Sequence, residues 1–221
     1  MTLTSLMIVL LLLAVATLVL RRPSNRFLRR CHLKLVDLAS YDQMVDLALI
    51  SCQCLALGFL VHQTGQIALG SWSYDWHFLV FLLLYLVALV EMTLLLLILF
   101  VDGCLQTDSR LLFQKMRWLS FDRNHPSLSI FLILLATIGD FVLYIVFLRG
   151  TLAHNMTGMG IVILLYAMSK AVYFRGGVAK VLAVMLFSVI GLWVLTAAVL
   201  YGELSAIILL LVTYTFISVK E

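Results

Sequence analysis

The sequence predicts an all-α fold, a polytopic transmembrane helical bundle of about seven spans that forms one integral membrane domain over residues 1–221. Hydrophobic residues make up 64% of the chain and charged residues 12%, whereas soluble domains are about half apolar and a quarter charged. A soluble core cannot bury so much apolar surface. The chain is therefore expected to face lipid along most of its length.

Seven apolar runs account for the predicted spans. A helix needs roughly 20 mostly apolar residues to cross about 30 Å of hydrocarbon. The runs cover residues 3–20, 43–61, 78–101, 127–148, 156–174, 181–200 and 202–219. The last two form one apolar stretch that, as a single helix, would be about 60 Å long, twice the required length. A break is therefore predicted at Tyr201, Gly202 and Glu203.

The basic residues predict the orientation of the spans. Of the 15 Lys and Arg residues, all but Arg149 lie at the span ends that face one side. Because loops rich in Lys and Arg stay on the cytoplasmic side, the N-terminus is predicted outside and the C-terminus inside. The first span is expected to be a retained anchor, since its arginines follow the apolar run instead of preceding it.

Two segments on the predicted inner side are expected to form helices that lie flat on the membrane surface. They cover residues 25–40 and 107–121, and each has apolar side chains along one side at helical spacing. Their basic residues include Arg26, Arg29, Arg30 and Lys34 in the first segment and Lys115 and Arg117 in the second. These charges either only enforce topology, or also bind anionic lipids or a cytoplasmic partner.

Ionisable residues within the apolar spans are the strongest indication of function, because a charge in lipid is costly and usually faces a protein interior or a water path. The candidate residues are Glu91, Asp102, Asp140, Tyr144 and Lys170. One hypothesis is that they pass protons or bind a cation across the membrane. The other is that the acids are protonated, or paired with a neighbouring helix or another subunit, and so fix packing.

Polar residues also form stripes on individual spans. Asp46 and Gln53 lie seven residues apart in the second span, and Thr137, Asp140 and Tyr144 follow one another in the fourth. Residues seven apart lie on similar faces of a helix. The stripes of the two spans could therefore meet within the bundle.

The histidines are weak candidates for a metal or haem site. His62, His77 and His154 all lie on the predicted outer side, where three loops could bring imidazoles together. Ordinary interfacial histidines are the alternative. The sequence has no recognisable phosphate-binding, acyl-transfer or paired metal-ligand motif, so it predicts no cofactor, no catalytic residues and no nucleic-acid partner.

These observations favour an integral membrane subunit of a larger membrane protein complex that contributes to proton or ion translocation. Its expected partners are the bilayer, anionic lipids on the inner face and other membrane subunits. Short loops and the lack of a recognisable active site favour this interpretation over a self-contained proton or small-cation channel or transporter. A third alternative, an intramembrane enzyme, would need several polar residues to converge at one depth.

Overall fold

The computed structural model describes residues 3–21, 25–34, 40–64, 76–104, 106, 119, 121–152, 155–174 and 176–218. Every secondary-structure element in these ranges is a helix. They are α1 (Leu3–Leu20), α2 (Arg26–Lys34), α3 (Tyr41–Thr64), α4 (Trp76–Leu94), α5 (Pro126–Asp140), α6 (Arg149–Leu152), α7 (Met156–Ala171), α8 (Gly177–Leu200) and α9 (Glu203–Ser218). Two π-helical segments continue α4 and α5, over Leu95–Cys104 and Phe141–Leu148. The predicted all-α fold is confirmed.

Among the described residues, four helices are long and apolar enough to cross a membrane. They are Tyr41–His62, Trp76–Leu94, Pro126–Leu148 and Gly177–Leu200. Shorter apolar helices cover Met7–Leu20, Met156–Ala171 and Glu203–Ser218. Each apolar run found in the sequence therefore corresponds to a helix, with ends that differ by no more than about one helical turn.

The predicted break in the last apolar stretch is observed. α8 ends at Leu200 and α9 begins at Glu203. Gly202 lies between them at a φ of 88°, a left-handed conformation that glycine adopts without steric cost. The carbonyl oxygen of Ala197 accepts from the Tyr201 N–H at 2.9 Å and also from the Ser205 hydroxyl at 2.9 Å, so the start of α9 is joined to the end of α8.

The chain divides into two compact units. Unit 1 contains α1, α2, α3, Leu119, residues 121–147 and the end of α9 from Tyr214. Within it, α1 and α2 pack against α3, and α3 packs against α5. Unit 2 contains α4 with its π-helical continuation, α6, α7, α8 and α9 up to Thr213. Within it, α7 packs against α6 and α8, and α4 packs against α8.

In unit 1, two hydrogen bonds show that α3 and α5 run parallel. The Gln43 carboxamide donates to Ser129 Oγ at 3.0 Å near the start of both helices. The Gln53 carboxamide donates to Asp140 Oδ1 at 3.1 Å farther along both. Because both pairs advance in the same direction, the two helices cannot be antiparallel.

In unit 2, aromatic side chains join the helices. The Phe187 ring of α8 has its centroid 6.1 Å from that of Tyr166 on α7, and the Trp193 ring lies 5.0 Å from that of Phe81 on α4. Such pairs contribute roughly 0.5–1.5 kcal/mol beyond burial of their surface. These ring contacts join α8 to α7 and to α4.

The first predicted surface helix is present over part of its length. α2 begins where Asn25 Oδ1 accepts from the backbone N–H groups of Phe27 at 3.2 Å and Leu28 at 3.3 Å, as an N-cap does. Leu28 is buried, whereas the four basic side chains are exposed: Arg26, Arg29, Arg30 and Lys34. The rest of this prediction, residues 35–39, lies outside the described residues. So does the second predicted segment, including Lys115 and Arg117, except for Leu119 and Phe121.

Candidate functional site

One face of α3 carries polar side chains that contact other parts of unit 1. The helix begins with a capping box in which Ser40 Oγ accepts from the Gln43 N–H at 3.3 Å and Gln43 Oε1 accepts from the Ser40 N–H at 3.2 Å. The same Gln43 side chain reaches Ser129 of α5 and is 1% exposed. Its burial is compensated because both ends of the carboxamide have partners.

Asp46 binds two other parts of unit 1 to the start of α3. Its Oδ2 accepts from the backbone N–H of Leu119 at 3.0 Å, and its Oδ1 lies 3.7 Å from Arg21 Nη2. The Asp46 side chain is 1% exposed and that of Arg21 is 17% exposed. Leu119 has a φ of 50°, which is costly for a residue with a branched side chain. Asp46 therefore stabilises a strained backbone as well as a cation.

Asp140, the last residue of α5, lies in a second group of polar side chains beside the middle of α3. Its Oδ1 accepts from Gln53 Nε2 at 3.1 Å, and its Oδ2 accepts from the Tyr214 hydroxyl of α9. Asp140 is 2% exposed and Tyr214 is fully buried. We refer to Asp140, Gln53 and Tyr214 as the Asp140 cluster.

The backbone around Asp140 allows this close approach. A Cβ atom at Gly139 would lie 3.2 Å from Cδ of Gln53, so glycine leaves room for the carboxamide beside the carboxylate. The π-helical segment begins at Phe141, immediately after Asp140. π-helical turns are rare and occur frequently at functional sites.

The structure brings together two of the predicted polar stripes. Gln53 and Asp140 meet, as the spacing in the second and fourth spans suggested. Thr137 instead donates to the carbonyl oxygen of Ile133 in its own helix at 2.8 Å, and Tyr144 is buried one turn beyond Asp140. The sequence reasoning missed Tyr214. Its signal was the polar triplet Thr213, Tyr214 and Thr215, which interrupts the last apolar run.

An apolar layer separates the Asp46 contacts from the Asp140 cluster. Asp46 and Gln53 are seven residues apart, or about 10 Å along the helix. The buried side chains between the two groups are Leu49 and Ile50 of α3 and Leu132, Ile133 and Ala136 of α5. Within the described part of unit 1, the polar contacts therefore form two separate groups and not a continuous polar path.

Glu91 has a different environment, on the exposed face of α4. It lies about 22 Å from the start of the helix at Trp76. Its neighbours one turn away, Val87 and Leu95, are 54% and 50% exposed. Only 17% of the residues in the apolar stretch of α4 are buried. Glu91 has no hydrogen bond or ion pair with any residue that the structure describes.

Asp102 and Lys170, two further candidates from the sequence, lie in unit 2. Asp102 is exposed in the π-helical continuation of α4. Lys170 is 4% exposed, with its Nζ 5.7 Å from the centre of the Tyr166 ring. An ammonium group at this distance from an aromatic face is stabilised by a cation–π interaction.

The three histidines are not seen to form a metal site. His62 and His77 are exposed, and His154 lies outside the described residues. Among the residues that the structure describes, no three His, Cys, Asp or Glu side chains are placed to share a metal ion.

Comparison with known protein families identifies a relationship over about two thirds of the chain. A family model described as a family of unknown function (DUF5968) matches residues 79–221, which include Glu91, Asp140 and Tyr214 but not Gln53. No curated protein and no solved structure matches the chain.

Proposed function

The chain belongs to the DUF5968 family, and we propose that this family member is an integral membrane subunit of a larger membrane protein complex. The observation that carries the proposal is the exposed Glu91, which lies midway along the continuous helix that α4 forms with its π-helical continuation. A carboxylate that faces lipid at this depth is costly, so such residues usually face protein or water. A transmembrane helix of another subunit would remove Glu91 from lipid.

The chemistry of α4 specifies what the partner helix must offer. An acid at mid-depth is best satisfied by a Lys or Arg side chain of the partner at the same depth. The exposed side chains around Glu91 are aliphatic, among them Val87, Val90 and Leu94. They would pack against the apolar remainder of the partner helix.

We propose the orientation with seven spans, the N-terminus outside and the C-terminus inside. The described contacts agree with the alternation of the spans because they join helix ends that it places on the same side, and the basic residues assign which side is inner. On the inner side, Arg21 pairs with Asp46, and the Phe121 N–H donates to the carbonyl oxygen of Ser218 at 3.2 Å. On the outer side, Arg149 Nη1 lies 3.5 Å from Glu203 Oε1.

The basic face of α2 is proposed to bind anionic lipids at the inner surface. Arg26, Arg29, Arg30 and Lys34 are all exposed, and each basic residue near an anionic membrane surface contributes about 1 kcal/mol. If the charges only enforce topology, replacing these four residues with neutral ones will not change the amount of anionic lipid that co-purifies with the chain.

A second candidate function is a self-contained proton or small-cation channel or transporter. The observation in its favour is the buried Asp140 cluster, because intramembrane carboxylates commonly mark ion pathways. The apolar layer between Asp46 and Gln53 disfavours continuous conduction along α3. An intramembrane enzyme remains the third candidate.

The test is the mass and protein composition of the particle that mild detergent extracts from the native membrane. The subunit proposal predicts a stable particle that contains other membrane proteins. A monomer or a homo-oligomer of this chain would overturn it and favour the channel. Ion-flux assays in liposomes on Glu91→Gln and Asp140→Asn would then test that function.

A further inference from the structure

We infer that the outward face of α2 binds a phospholipid that carries two phosphate groups, in preference to a phospholipid that carries one. The inference rests on the proposed binding of anionic lipids at the inner surface, and it deepens that proposal by naming the class of headgroup. It requires neither partner subunits nor ion movement.

Side-chain contacts hold both ends of α2 against the ends of two spans. At its start, Asn25 Nδ2 donates to the carbonyl oxygen of Val19, in the last turn of α1, at 3.4 Å. In its last turn, the His32 ring lies edge-on to the ring of Tyr41, the first residue of α3, with the ring centroids 5.8 Å apart. α2 therefore lies beside the end of α1 and the start of α3, which the proposed orientation places at the inner surface of the membrane.

Three basic residues form a line along the outward face of α2. Arg26, Arg30 and Lys34 follow one another at intervals of four residues, and residues at this spacing are neighbours on one side of a helix, about 5–6 Å apart. All three side chains are exposed, and the line is about 12 Å long. We refer to these three residues as the basic line. Two neighbouring side chains match one phosphate, whereas the whole line matches two linked phosphates.

The charges of α2 are not compensated by the described part of the chain. α2 contains no Asp or Glu, and its basic side chains have no hydrogen bond or ion pair with any residue that the structure describes. Like charges four residues apart on a helix repel each other. One phosphate relieves this repulsion at one interval, whereas two phosphates relieve it both between Arg26 and Arg30 and between Arg30 and Lys34.

The apolar side chains beside the basic line favour a lipid over an acidic protein surface as the ligand. Phe27 and Leu33 are 71% and 76% exposed. At 100° per residue, they lie about 60° to either side of Arg30, whereas the buried Leu28 lies about 160° away. Basic and large apolar side chains on one exposed face are typical of helices that bind an anionic membrane surface. The cations meet the phosphates there, and the apolar side chains enter the acyl boundary.

Native mass spectrometry of the full-length chain in a neutral detergent tests the preference. Phosphatidylcholine, phosphatidylglycerol and cardiolipin are added separately, and the last two are compared at equal concentrations of phosphate and of acyl chains. Cardiolipin has two phosphates and phosphatidylglycerol has one. We expect cardiolipin to bind at least about fivefold more tightly, because the second phosphate engages a further basic residue and each basic residue contributes about a factor of five.

Two variants with the same change of charge test the role of the basic line. Arg30 lies at its centre, between the two phosphates, so Arg30→Gln should weaken cardiolipin binding about fivefold or more and remove most of the preference. Arg29→Gln is the matched control. Arg29 is also exposed, but it lies about 100° from Arg30 around the helix, so its replacement should keep the preference. Equal preferences in the two variants would overturn the assignment to the basic line.

Fluorescence quenching tests the position of the outward face without changing a basic residue. Leu33→Cys, in a chain that lacks the native cysteines, is labelled with bimane and placed in nanodiscs that contain cardiolipin. We expect stronger quenching by a lipid with a nitroxide close to its headgroup than by iodide in the water. Stronger quenching by iodide would show that this face points away from the lipid and would overturn the inference.

The lipid titration separates this inference from the proposal on which it rests. Equal binding of phosphatidylglycerol and cardiolipin, with both tighter than phosphatidylcholine, would overturn the preference for two phosphates and leave the binding of anionic lipids in place. Equal binding of all three lipids, unchanged in Arg30→Gln, would overturn both. Because the spectra are recorded on the isolated chain, neither result depends on the composition of the native particle.

Discussion

Gln53 Nε2 donates a hydrogen bond to Asp140 Oδ1 at 3.1 Å. The two residues are 87 positions apart in the chain, and their contact joins α3 to the end of α5. Together with the contact between Gln43 and Ser129, this hydrogen bond fixes both the parallel direction and the register of α3 and α5. An apolar interface has little directional preference, whereas a buried hydrogen bond has one favourable geometry. Asp140 is therefore expected to contribute to the specific packing of unit 1.

Asp140→Leu should lower the free energy of unfolding more than Asp140→Asn. Leucine leaves the Gln53 carboxamide and the Tyr214 hydroxyl without their acceptor, and each buried group left in this way costs roughly 1–3 kcal/mol. Asparagine accepts from Tyr214 and pairs with Gln53, so its cost should stay below about 1 kcal/mol. Unfolding in detergent, followed by circular dichroism, measures the difference. Equal losses for the two variants would contradict the hydrogen-bonding role.

Gly139→Ala and Gly58→Ala should have opposite effects on stability. At Gly139 the added Cβ meets Gln53 at 3.2 Å, and forcing atoms into a packed site costs about 1–3 kcal/mol. Nothing lies within 4 Å of a Cβ at Gly58, where alanine should stabilise α3 by about 0.5–1 kcal/mol. Unfolding in detergent, followed by circular dichroism, measures the change in stability of each variant. Stabilisation by Gly139→Ala would show that the hydrogen bond to Asp140 does not hold the Gln53 carboxamide in place against this residue.

Gly158→Ala tests the packing at the start of α7 in unit 2. A Cβ there would lie 1.8 Å from the carbonyl oxygen of Leu152, so the backbone itself must move. We expect a loss at or above the upper end of the usual range of about 1–3 kcal/mol for overpacking. Gly160→Ala is the matched control, because a Cβ at Gly160 meets nothing within 4 Å. A Gly158→Ala variant as stable as this control would refute the contact.

Cysteine labelling tests the proposed orientation. Cys104 is exposed on the proposed inner side, and Met156, which is 86% exposed, lies on the proposed outer side. In a Met156→Cys variant that lacks the native cysteines, a membrane-impermeant maleimide should label the protein on intact cells or organelles. A variant that retains only Cys104 should be labelled only after the membrane is opened. The reverse pattern would invert the orientation.

The sequence predicted helices better than it predicted contacts. Runs of apolar residues located the helices because each must be long and apolar, and Gly202 marked the turn because few residues adopt its φ of 88°. Periodicity placed Gln53 and Asp140 on polar stripes, but it does not identify the helix that each stripe faces. Tyr214 was missed for this reason, since its role depends on where the end of α9 packs.

The environments of Lys170 and Glu91 also depend on packing. Distance from a helix end describes depth, whereas burial depends on which face the neighbouring helices cover. Lys170 is buried near the end of α7, whereas Glu91 is exposed midway along α4 and its π-helical continuation. The two π-helical segments could not be predicted either, because their residues are as apolar as those of the α-helices that they continue.

The most direct test of the subunit proposal is the mass and composition of the native particle in three forms of the chain: wild type, Glu91→Leu and Asp102→Asn. Leucine removes the carboxylate that the proposed partner must satisfy, whereas Asp102 is an exposed acid nearer the end of its helix. We predict that wild type and Asp102→Asn co-purify with other membrane proteins in a particle of one mass, and that Glu91→Leu inserts normally but loses them. A wild-type particle that contains only this chain, or a Glu91→Leu particle identical to wild type, would contradict the proposal.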